Sequence, residues 1–420
     1  MKNIFLSAAL LIAGMNLLGQ TPATNDTLRK DALNVYMEAT DYFRKEIPYI
    51  NYVRDIRDAD VYIISSSQQT GSGGKEFSYF ILGQKKFQGM KDTVRFVSSA
   101  DDTEEQIRTG QVRMIKQGLM RYVLMTPLSK NIDIRYTEPL SETVNTDKWN
   151  SWVFSSSLSG MLNGQKSYNT NQIFGSLSAR RITSDWKIDL DVDYNLNLDK
   201  FIIEGEEITS INNGRSFEAL VVRSLGEHWS YGGEIEIESS TYSNYKLKIT
   251  AMPGIEYDIF PYSESTRRQL RLLYKAGYQY QSYMDTTIYD KLQENLWGHQ
   301  FSAAYEVVQK WGSIDLSAYW FNYLHDFSKN NLSLNGSFSV RIAKGLSLQM
   351  GGGASIIHDQ LSLVKGGATT EEILLQRKEL ATQYRYFTFF GLSYTFGSIY
   401  NNVVNPRFGG SSGGMTISIN

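Results

Sequence analysis

The chain has 420 residues, a formal net charge of −2 and a sequence pI near 6.2. This near-neutral balance argues against a polyanionic ligand, so nucleic acid is not an expected partner. Cysteine is absent, which excludes disulfides, thiolate metal sites, a catalytic thiol and a lipidated cysteine.

The first twenty residues, MKNIFLSAALLIAGMNLLGQ, have the pattern of a secretory signal. Lys2 precedes an apolar run from Ile4 to Leu18, and Gly19-Gln20 offers small and polar residues at a cleavage point. An N-terminal membrane anchor is the alternative, but the run is shorter than the roughly 20 apolar residues that a spanning helix needs. The sequence therefore predicts a cleaved signal peptide over residues 1–20.

Residues 28–130 read as a small α/β domain. Four strands are predicted at LNVYMEA, DVYIISSSQ, EFSYFILG and DTVRFVSS. A helix that begins at Thr40 or Asp41 meets Pro48 and must be short or bent there, and an apolar stripe at helical spacing after Ser99 predicts a second helix. The predicted order is β-α-β-β-β-α, followed by a linker over 131–147.

The glycine-rich stretch QQTGSGGKE (68–76) separates two of these strands. It has the glycines of a phosphate-binding loop but lacks the GK[ST] ending. A hairpin turn is the better interpretation.

From residue 148 onward the sequence consists of long alternating segments. In WKIDLDVDYNLNL (186–198) every second residue is apolar and the residues between are charged or amide side chains, which is the period of a β-strand. Many of these segments exceed ten residues, whereas strands of soluble proteins average five or six. Twelve strands are predicted, at 150–163, 171–183, 185–200, 216–225, 229–242, 245–259, 268–284, 297–309, 311–324, 331–343, 346–358 and 382–397.

The connections between these strands alternate in length. Long links are predicted at 198–215, 285–295 and 359–383, and short turns such as KWG and AKGL lie between them. Two connections depart from this alternation: GQKSYN on the long side is of modest length, and FPYSEST on the short side is longer than the other turns. An even number of long strands with this asymmetry is typical of bacterial outer-membrane barrels. A 12-stranded antiparallel transmembrane β-barrel is therefore predicted over 148–398, with a periplasmic tail over 399–420. A secreted β-sandwich would explain the alternation equally well, but not the strand lengths.

In such a barrel the charged faces of the strands point into the lumen. Charged rings in a pore set ion and solute selectivity, but the two signs of charge could equally form a lattice of ion pairs that stiffens the wall. The candidate lumen-lining residues are Lys187, Asp189, Asp191, Asp193, Glu234, Glu236, Glu238, Lys246, Lys248, Glu256, Asp258, Arg271, Lys275, Glu306, Asp315, Arg341 and Arg385.

Catalytic and metal-binding patterns are weak. His325-Asp326 and His358-Asp359 are expected at the outer rim, but neighbours on a strand point to opposite faces, so only His325 with Asp359 could meet. No serine lies in a lipase-like setting and no His, Cys or carboxylate cluster has metal-ligand spacing. The sequence predicts no catalytic residues, no cofactor and no metal, with a hydrolase at the rim as a remote alternative.

Three runs of sequence resemble a known group of proteins: YFRKEIPYINYVRDIRDADVYIISSSQQTGSGG, EALVVRSLGEHWSYGGEIEI and YTFGSIYNNVVNPRFGG. They look like an uncharacterised group of outer-membrane proteins of Bacteroidota and related Gram-negative phyla. The barrel part loosely resembles the salt-induced outer-membrane barrels of unknown function, and the N-terminal domain is similar to α/β domains of TolB-type and curli-secretion-type periplasmic proteins. The resemblance implies an outer-membrane location and brings no catalytic motif.

Two functions remain open from the sequence. The first is a narrow channel or transport-related pore for a small solute or ion, with a periplasmic interaction domain. The second is a membrane anchor that transports nothing and whose periplasmic domain binds an envelope protein or peptidoglycan through exposed strand edges. Both place the barrel among outer-membrane lipids.

Overall fold

The computed structural model describes residues 31–71, 73–134, 147–203, 206–366 and 379–397. The protein is mainly β, with a five-stranded sheet near the N terminus and a twelve-stranded sheet after it. The predicted signal (1–20), residues 135–146 of the predicted linker and the predicted tail (399–420) lie outside the described residues. None of the helices in the described part combines the length and apolar character needed to cross a membrane.

Residues 31–134 form what we call the N-terminal unit, a five-stranded sheet with two helices. The strand order is β2-β1-β3-β4-β5; β1 is parallel to β2 and β3, and the other pairs are antiparallel. The elements are β1 (Asn34–Tyr36), α1 (Asp41–Glu46), β2 (Asn51–Tyr52), β3 (Val61–Gln69), β4 (Lys75–Gly83), β5 (Lys91–Val97) and α2 (Glu104–Val123).

The local sequence explains both helices. Helix α1 ends at Glu46, two residues before Pro48, because proline cannot donate the backbone hydrogen bond that would continue it. Helix α2 begins with a capping box, in which Thr103 and Gln106 each satisfy a backbone N–H of the other. One face of α2 is buried against the sheet through Ile115, Leu119 and other apolar residues.

Two details of the N-terminal unit test the sequence analysis. The stretch 68–76 joins β3 to β4 as a hairpin, with Thr70 N–H donating to the carbonyl of Gly74. Strand β2 was not predicted, because its two residues, Asn51 and Tyr52, are too few to show a periodic pattern. It nevertheless extends the sheet by pairing Asn51 with Asn34.

The second part of the chain forms a twelve-stranded antiparallel sheet in which each strand pairs with its neighbours in sequence. The predicted number and antiparallel arrangement of these strands are confirmed. The strands are β6 (Trp152–Gln165), β7 (Tyr168–Ile182), β8 (Trp186–Ile203), β9 (Glu206–Ser224), β10 (Trp229–Ser240), β11 (Tyr245–Asp258), β12 (Arg268–Tyr283), β13 (Gln293–Gln309), β14 (Gly312–Tyr323), β15 (Asn330–Ala343), β16 (Leu346–Ile357) and β17 (Tyr384–Tyr394).

One predicted loop is wrong. Residues 198–215 extend strands β8 and β9, which remain paired up to Ile203 and Glu206. On the side of this hairpin that carries apolar residues earlier in β8, several positions are polar, namely Lys200, Glu207 and Thr209. The apolar alternation that identifies a strand is therefore lost there. The predicted difference between the two rims consequently rests mainly on the connection 358–383, since 284–292 is matched in length by 259–267 on the opposite rim.

Within the described residues the large sheet is not closed. Strands β17 and β6 stand at opposite ends of the strand order. Their side chains are exposed on both faces, and Leu158 of β6 and Phe390 of β17 are each 81 % exposed. The twelve strands expected of a barrel are therefore present, without hydrogen bonds between the first and the last.

Candidate functional site on the charged face of the large sheet

The register of the strands places most charged side chains of the large sheet on one face, which we call the charged face. Asp191 on β8 is opposite Glu218 on β9, and Glu218 is opposite Glu236 on β10. Directly opposed residues of antiparallel strands point to the same side. A row of three carboxylates therefore crosses three adjacent strands, with Asp189 and Glu234 in the next row.

Basic side chains at the ends of this row balance part of its charge. Arg180 on β7 lies 3.3 Å from Asp191, and Lys248 on β11 lies 3.3 Å from Glu238. Lys275 on β12 pairs with Glu234 on β10, across the intervening strand β11. Tyr319 on β14 also interacts electrostatically with Glu234 and Glu236 on β10, which is four strands away, so the sheet curves and the charged face is concave.

The candidate lumen-lining residues can now be placed. Asp189, Asp191, Asp193, Glu234, Glu236, Glu238, Lys187, Lys248, Glu256, Asp258, Arg271, Lys275, Glu306, Asp315, Arg341 and Arg385 share the charged face by register. The pairs Lys187–Asp189 and Arg271–Glu256 lie within 3.3 and 3.7 Å. The centre of the face thus combines ion pairs with an excess of carboxylates on β8, β9 and β10.

Lys246 departs from the predicted pattern. A register shift between Tyr245 and Leu247 leaves Lys246 without a directly opposed residue, and its side chain is exposed. Tyr245 takes the place on the charged face instead, stacking with Tyr283 and lying under the ammonium group of Lys248. A β-bulge adds one residue to a strand and reverses the alternation, and period-two counting could not detect it.

Several residues of the site were missed by the sequence analysis. Glu218 and Arg180 lie on the charged face beside Asp191. Each stands in a segment with few other charges, so alternation within its own strand gave little signal. The register with the Asp-rich strand β8 is the information that would have identified them.

The connection between β16 and β17 folds over the charged face. Leu361 is 4 % exposed and belongs to a buried cluster with Met252, Leu296, Phe321 and Tyr323. The strands joined by this connection, β16 and β17, are several strands away from β11, which carries Met252. The residues 358–365, which we call the inner segment, therefore occupy part of the concavity.

Hydrogen bonds hold the inner segment in place. Asn244 Nδ2 donates to the carbonyl of Ser362 at 2.8 Å, and Ile288 N–H donates to the carbonyl of Leu363 at 2.8 Å. Lys365 N–H donates to the carbonyl of Thr286 at 2.9 Å. These partners lie in the connections after β10 and β12, so the segment bridges distant parts of one rim.

A layer of neutral polar groups lies below the inner segment. Gln281 Nε2 donates to Gln279 Oε1 and to the hydroxyl of Tyr323, at 3.0 and 3.1 Å. The hydroxyl of Tyr283 donates to Gln281 Oε1 at 2.8 Å. Because these polar groups hydrogen-bond to one another, the layer occupies part of the concavity at a low cost of desolvation.

Burial changes the acidity of two carboxyls in this connection. Desolvation raises the pKa of Asp359 against the opposing effect of a hydrogen bond from Asn331. Desolvation also raises the pKa of Glu379, whose carboxylate accepts a hydrogen bond from Gln360 at 2.7 Å. Both groups take up protons more readily than exposed carboxyls do.

The opposite face of the sheet, which we call the apolar face, is exposed. Leu177 is 59 % exposed, Ile235 48 % and Leu334 51 %, and residues of this kind recur on all twelve strands. Soluble monomers rarely expose continuous apolar patches above a few hundred Å². The face is therefore suited to an apolar environment.

The contacts of the histidines differ from the catalytic arrangement considered above. Asp359 contacts Asn331, whereas the ring of His325 lies 5.7 Å from that of Tyr323. His299 stands on the apolar face against Tyr274 and Trp320. Among the described residues there is no group of three or more His, Asp or Glu side chains that could hold a metal ion.

The N-terminal unit is seated on the rim that carries the shorter connections. Arg341 hydrogen-bonds to the hydroxyl of Tyr36 with its guanidinium over the Tyr36 ring, and Gly345 N–H donates to Asp55 at 3.0 Å. Arg54 donates to the carbonyls of Phe396 and Gly397, both at 3.1 Å. The unit is thus attached both to the turn after β15 and to the chain after β17.

A comparison with known protein families finds a match over part of the chain. Residues 167–360 match the family described as a protein of unknown function, DUF481. The matched region runs from β7 to the start of the inner segment, so it contains the carboxylate row and the part of the apolar face that lies on β7 to β16. No curated protein matches the chain. The match is compatible with an uncharacterised barrel-like protein and carries no activity.

Proposed function

We propose that the chain is an outer-membrane β-barrel protein of a Gram-negative bacterium, in which β6 and β17 pair and close the sheet. Strands can cross hydrocarbon only in a closed sheet, because every backbone N–H and C=O needs a partner there. The exposed apolar face on all twelve strands supports this proposal. Closure would turn the charged face toward an aqueous interior.

The arrangement of the two ends favours one orientation. The described chain enters and leaves the large sheet on the rim where the N-terminal unit is seated. Outer-membrane barrels carry their shorter turns and both chain ends on the periplasmic side. We therefore place the N-terminal unit in the periplasm and the connection 358–383 on the outer side, with residues 1–20 as the signal for export.

A narrow, cation-preferring channel is the function that the charged face supports best. The observation that carries this proposal is the carboxylate row Asp191, Glu218 and Glu236, which is only partly neutralised by Arg180, Lys248 and Lys275. An excess of carboxylates in a pore concentrates cations and repels anions. The inner segment narrows the passage from the outer side.

The location is tested by fractionation and electrophoresis. The mature protein is expected to sediment with outer membranes, to require detergent for extraction, and to migrate faster on a gel before heating than after it. A protein that stays in solution without detergent would contradict the barrel, and with it the channel.

The channel is tested by conductance in planar bilayers under a KCl gradient. The variant carrying both Asp189→Lys and Asp191→Lys is expected to shift the reversal potential toward anion preference. Asp185→Lys, the same substitution at one position in the exposed turn before β8, is the control and should leave the preference unchanged. An identical preference in wild type and the double variant would refute the assignment.

A membrane anchor without transport is the second candidate. The filling of the concavity by Leu361 and by the Gln279, Gln281 and Tyr323 layer favours it. In that case the purified barrel would be electrically silent even after the inner segment is displaced, and function would reside in the N-terminal unit.

A further inference from the structure

Strand β3 of the N-terminal unit has one side that is only partly paired. Its partner β4 pairs with it along its whole length, from Val61 to Gln69. On the other side β1 pairs only with Val61 and Tyr62. Among the described residues, the stretch from Ile63 to Gln69 therefore presents a free strand edge, which we call the open edge.

The side chains of the open edge do not protect it. Natural sheets block their edges with charges, prolines or bulges. The terminal strand β5 of this sheet, for comparison, carries Lys91, Asp92 and Arg95. The open edge instead ends in the uncharged sequence SSSQQ, residues 65–69, without proline. It is thus available for pairing with another extended chain.

A groove lies beside the open edge, between β3 and the helices. It has a volume of about 270 Å³, and its apolar lining includes Phe43, Ile63, Phe77 and Tyr79. Glu38 lies at its border, is exposed, and has no basic partner among the described residues. The groove therefore offers space for an apolar side chain next to an unpaired carboxylate.

We propose that the open edge binds an extended segment of a partner protein as an additional strand. In this mode, backbone hydrogen bonds supply affinity and a side-chain pocket supplies selectivity. The segment carries an aliphatic or aromatic side chain that enters the groove, and a Lys or Arg two residues away that faces Glu38. The inference concerns the N-terminal unit and does not depend on whether the barrel conducts.

The first test uses the full mature chain in detergent and a fluorescent peptide, acetyl-Ser-Val-Thr-Phe-Thr-Lys-Thr-amide, in which Lys follows Phe by two residues, and binding is followed by anisotropy. Methylation of alternate backbone nitrogens removes donors without changing the side chains. Loss of a single hydrogen bond worth about 1.4 kcal/mol lowers affinity about tenfold, so the methylated peptide is expected to bind at least tenfold more weakly. Equal binding of both peptides, or no binding of either, would overturn the proposal.

A charge exchange tests the selectivity. Glu38→Lys is expected to weaken the peptide severalfold and to favour the same peptide with Glu in place of Lys. Lys91→Glu, on the charged edge β5, is the control and should change neither affinity. Absence of any reversal in Glu38→Lys would remove Glu38 from the site.

Two other occupants of the open edge would each overturn the assignment. If residues 399–420 of the same chain filled it, a variant ending at residue 398 would bind the peptide much more tightly than the full chain. If a second copy filled it, the protein would be a dimer by light scattering and the peptide would dissociate it. Under the proposal, truncation leaves affinity unchanged and the peptide leaves the oligomeric state unchanged.

Discussion

Asp55 is a titratable residue at the contact between the N-terminal unit and the large sheet. Burial alone would raise its pKa, but hydrogen bonds from the backbone N–H groups of Arg57 and Gly345 outweigh burial and lower it. A carboxyl whose pKa is lower in the folded protein stabilises the fold above its unfolded pKa, about 3.9. It loses that contribution as the pH falls through the folded pKa.

Asp55→Asn is therefore expected to lower the melting temperature at pH 7, and the difference from wild type should shrink as the pH falls below about 4. Thermal unfolding followed by circular dichroism at 222 nm reports the α-helices, both of which lie in the N-terminal unit among the described residues. Asp101→Asn, at an exposed position, serves as control. A difference that stays constant from pH 7 to pH 3 would contradict the assignment.

Gly118 is a residue at which close packing leaves no room for a side chain. A Cβ atom at this position would lie 2.3 Å from Cδ1 of Ile81 and 3.0 Å from Cγ1 of Val94. Both neighbours belong to the sheet under α2, and Ile81 is fully buried. Only a residue without a side chain lets the helix approach the sheet this closely.

Gly118→Val is expected to destabilise the N-terminal unit by about 2 kcal/mol through overpacking. Gln117→Val, one residue earlier on the exposed side of α2, should cost only about 0.5 kcal/mol through helix propensity. Urea unfolding at 222 nm measures both. Equal losses in the two variants would show that propensity rather than packing decides.

At the scale of elements, the sequence predicts strands wherever one face must be apolar. Alternation over residues such as Leu190, Asp191 and Val192 identified β8, and the same pattern identified the other eleven strands of the large sheet. It failed at β2, which is too short, and at the β8–β9 hairpin, where Lys200 and Glu207 interrupt the apolar side.

The inner segment could not be predicted for a different reason. Leu361 is buried by Met252, Leu296 and Phe321, which are far from it in sequence. Leu361 and Leu363 alternate with Ser362, but two buried leucines in a long connection are too short a pattern to reveal their contacts. Its position is set by the register and curvature of the whole sheet, which one sequence does not encode in any local pattern.

Leu361→Asp is expected to displace the inner segment, because it places a carboxylate in an apolar cluster. Under the channel proposal, single-channel conductance should rise severalfold. Leu380→Asp, the same change at an exposed position of the same connection, is the control. Unchanged conductance in Leu361→Asp, with folding verified by gel mobility, would mean that the inner segment does not obstruct the passage.

At the scale of the whole molecule, the two faces of the large sheet have opposite requirements. The apolar face needs surroundings free of water, whereas the charged face needs water or ion pairs around Asp189, Glu234 and Lys275. The closure proposed above would meet both requirements. The proposed pairing of β6 with β17 rests on these requirements and on the exposure of both strands, since neither strand alone indicates its partner.

The bond between Arg54 and Gly397 joins residues that are 343 positions apart in the chain. A ribosome completes the N-terminal unit long before the carbonyl that receives Arg54 has been synthesised. This contact can therefore form only after the segment that follows β17 has been made and placed, so the attachment of the N-terminal unit through Arg54 is a late step of assembly.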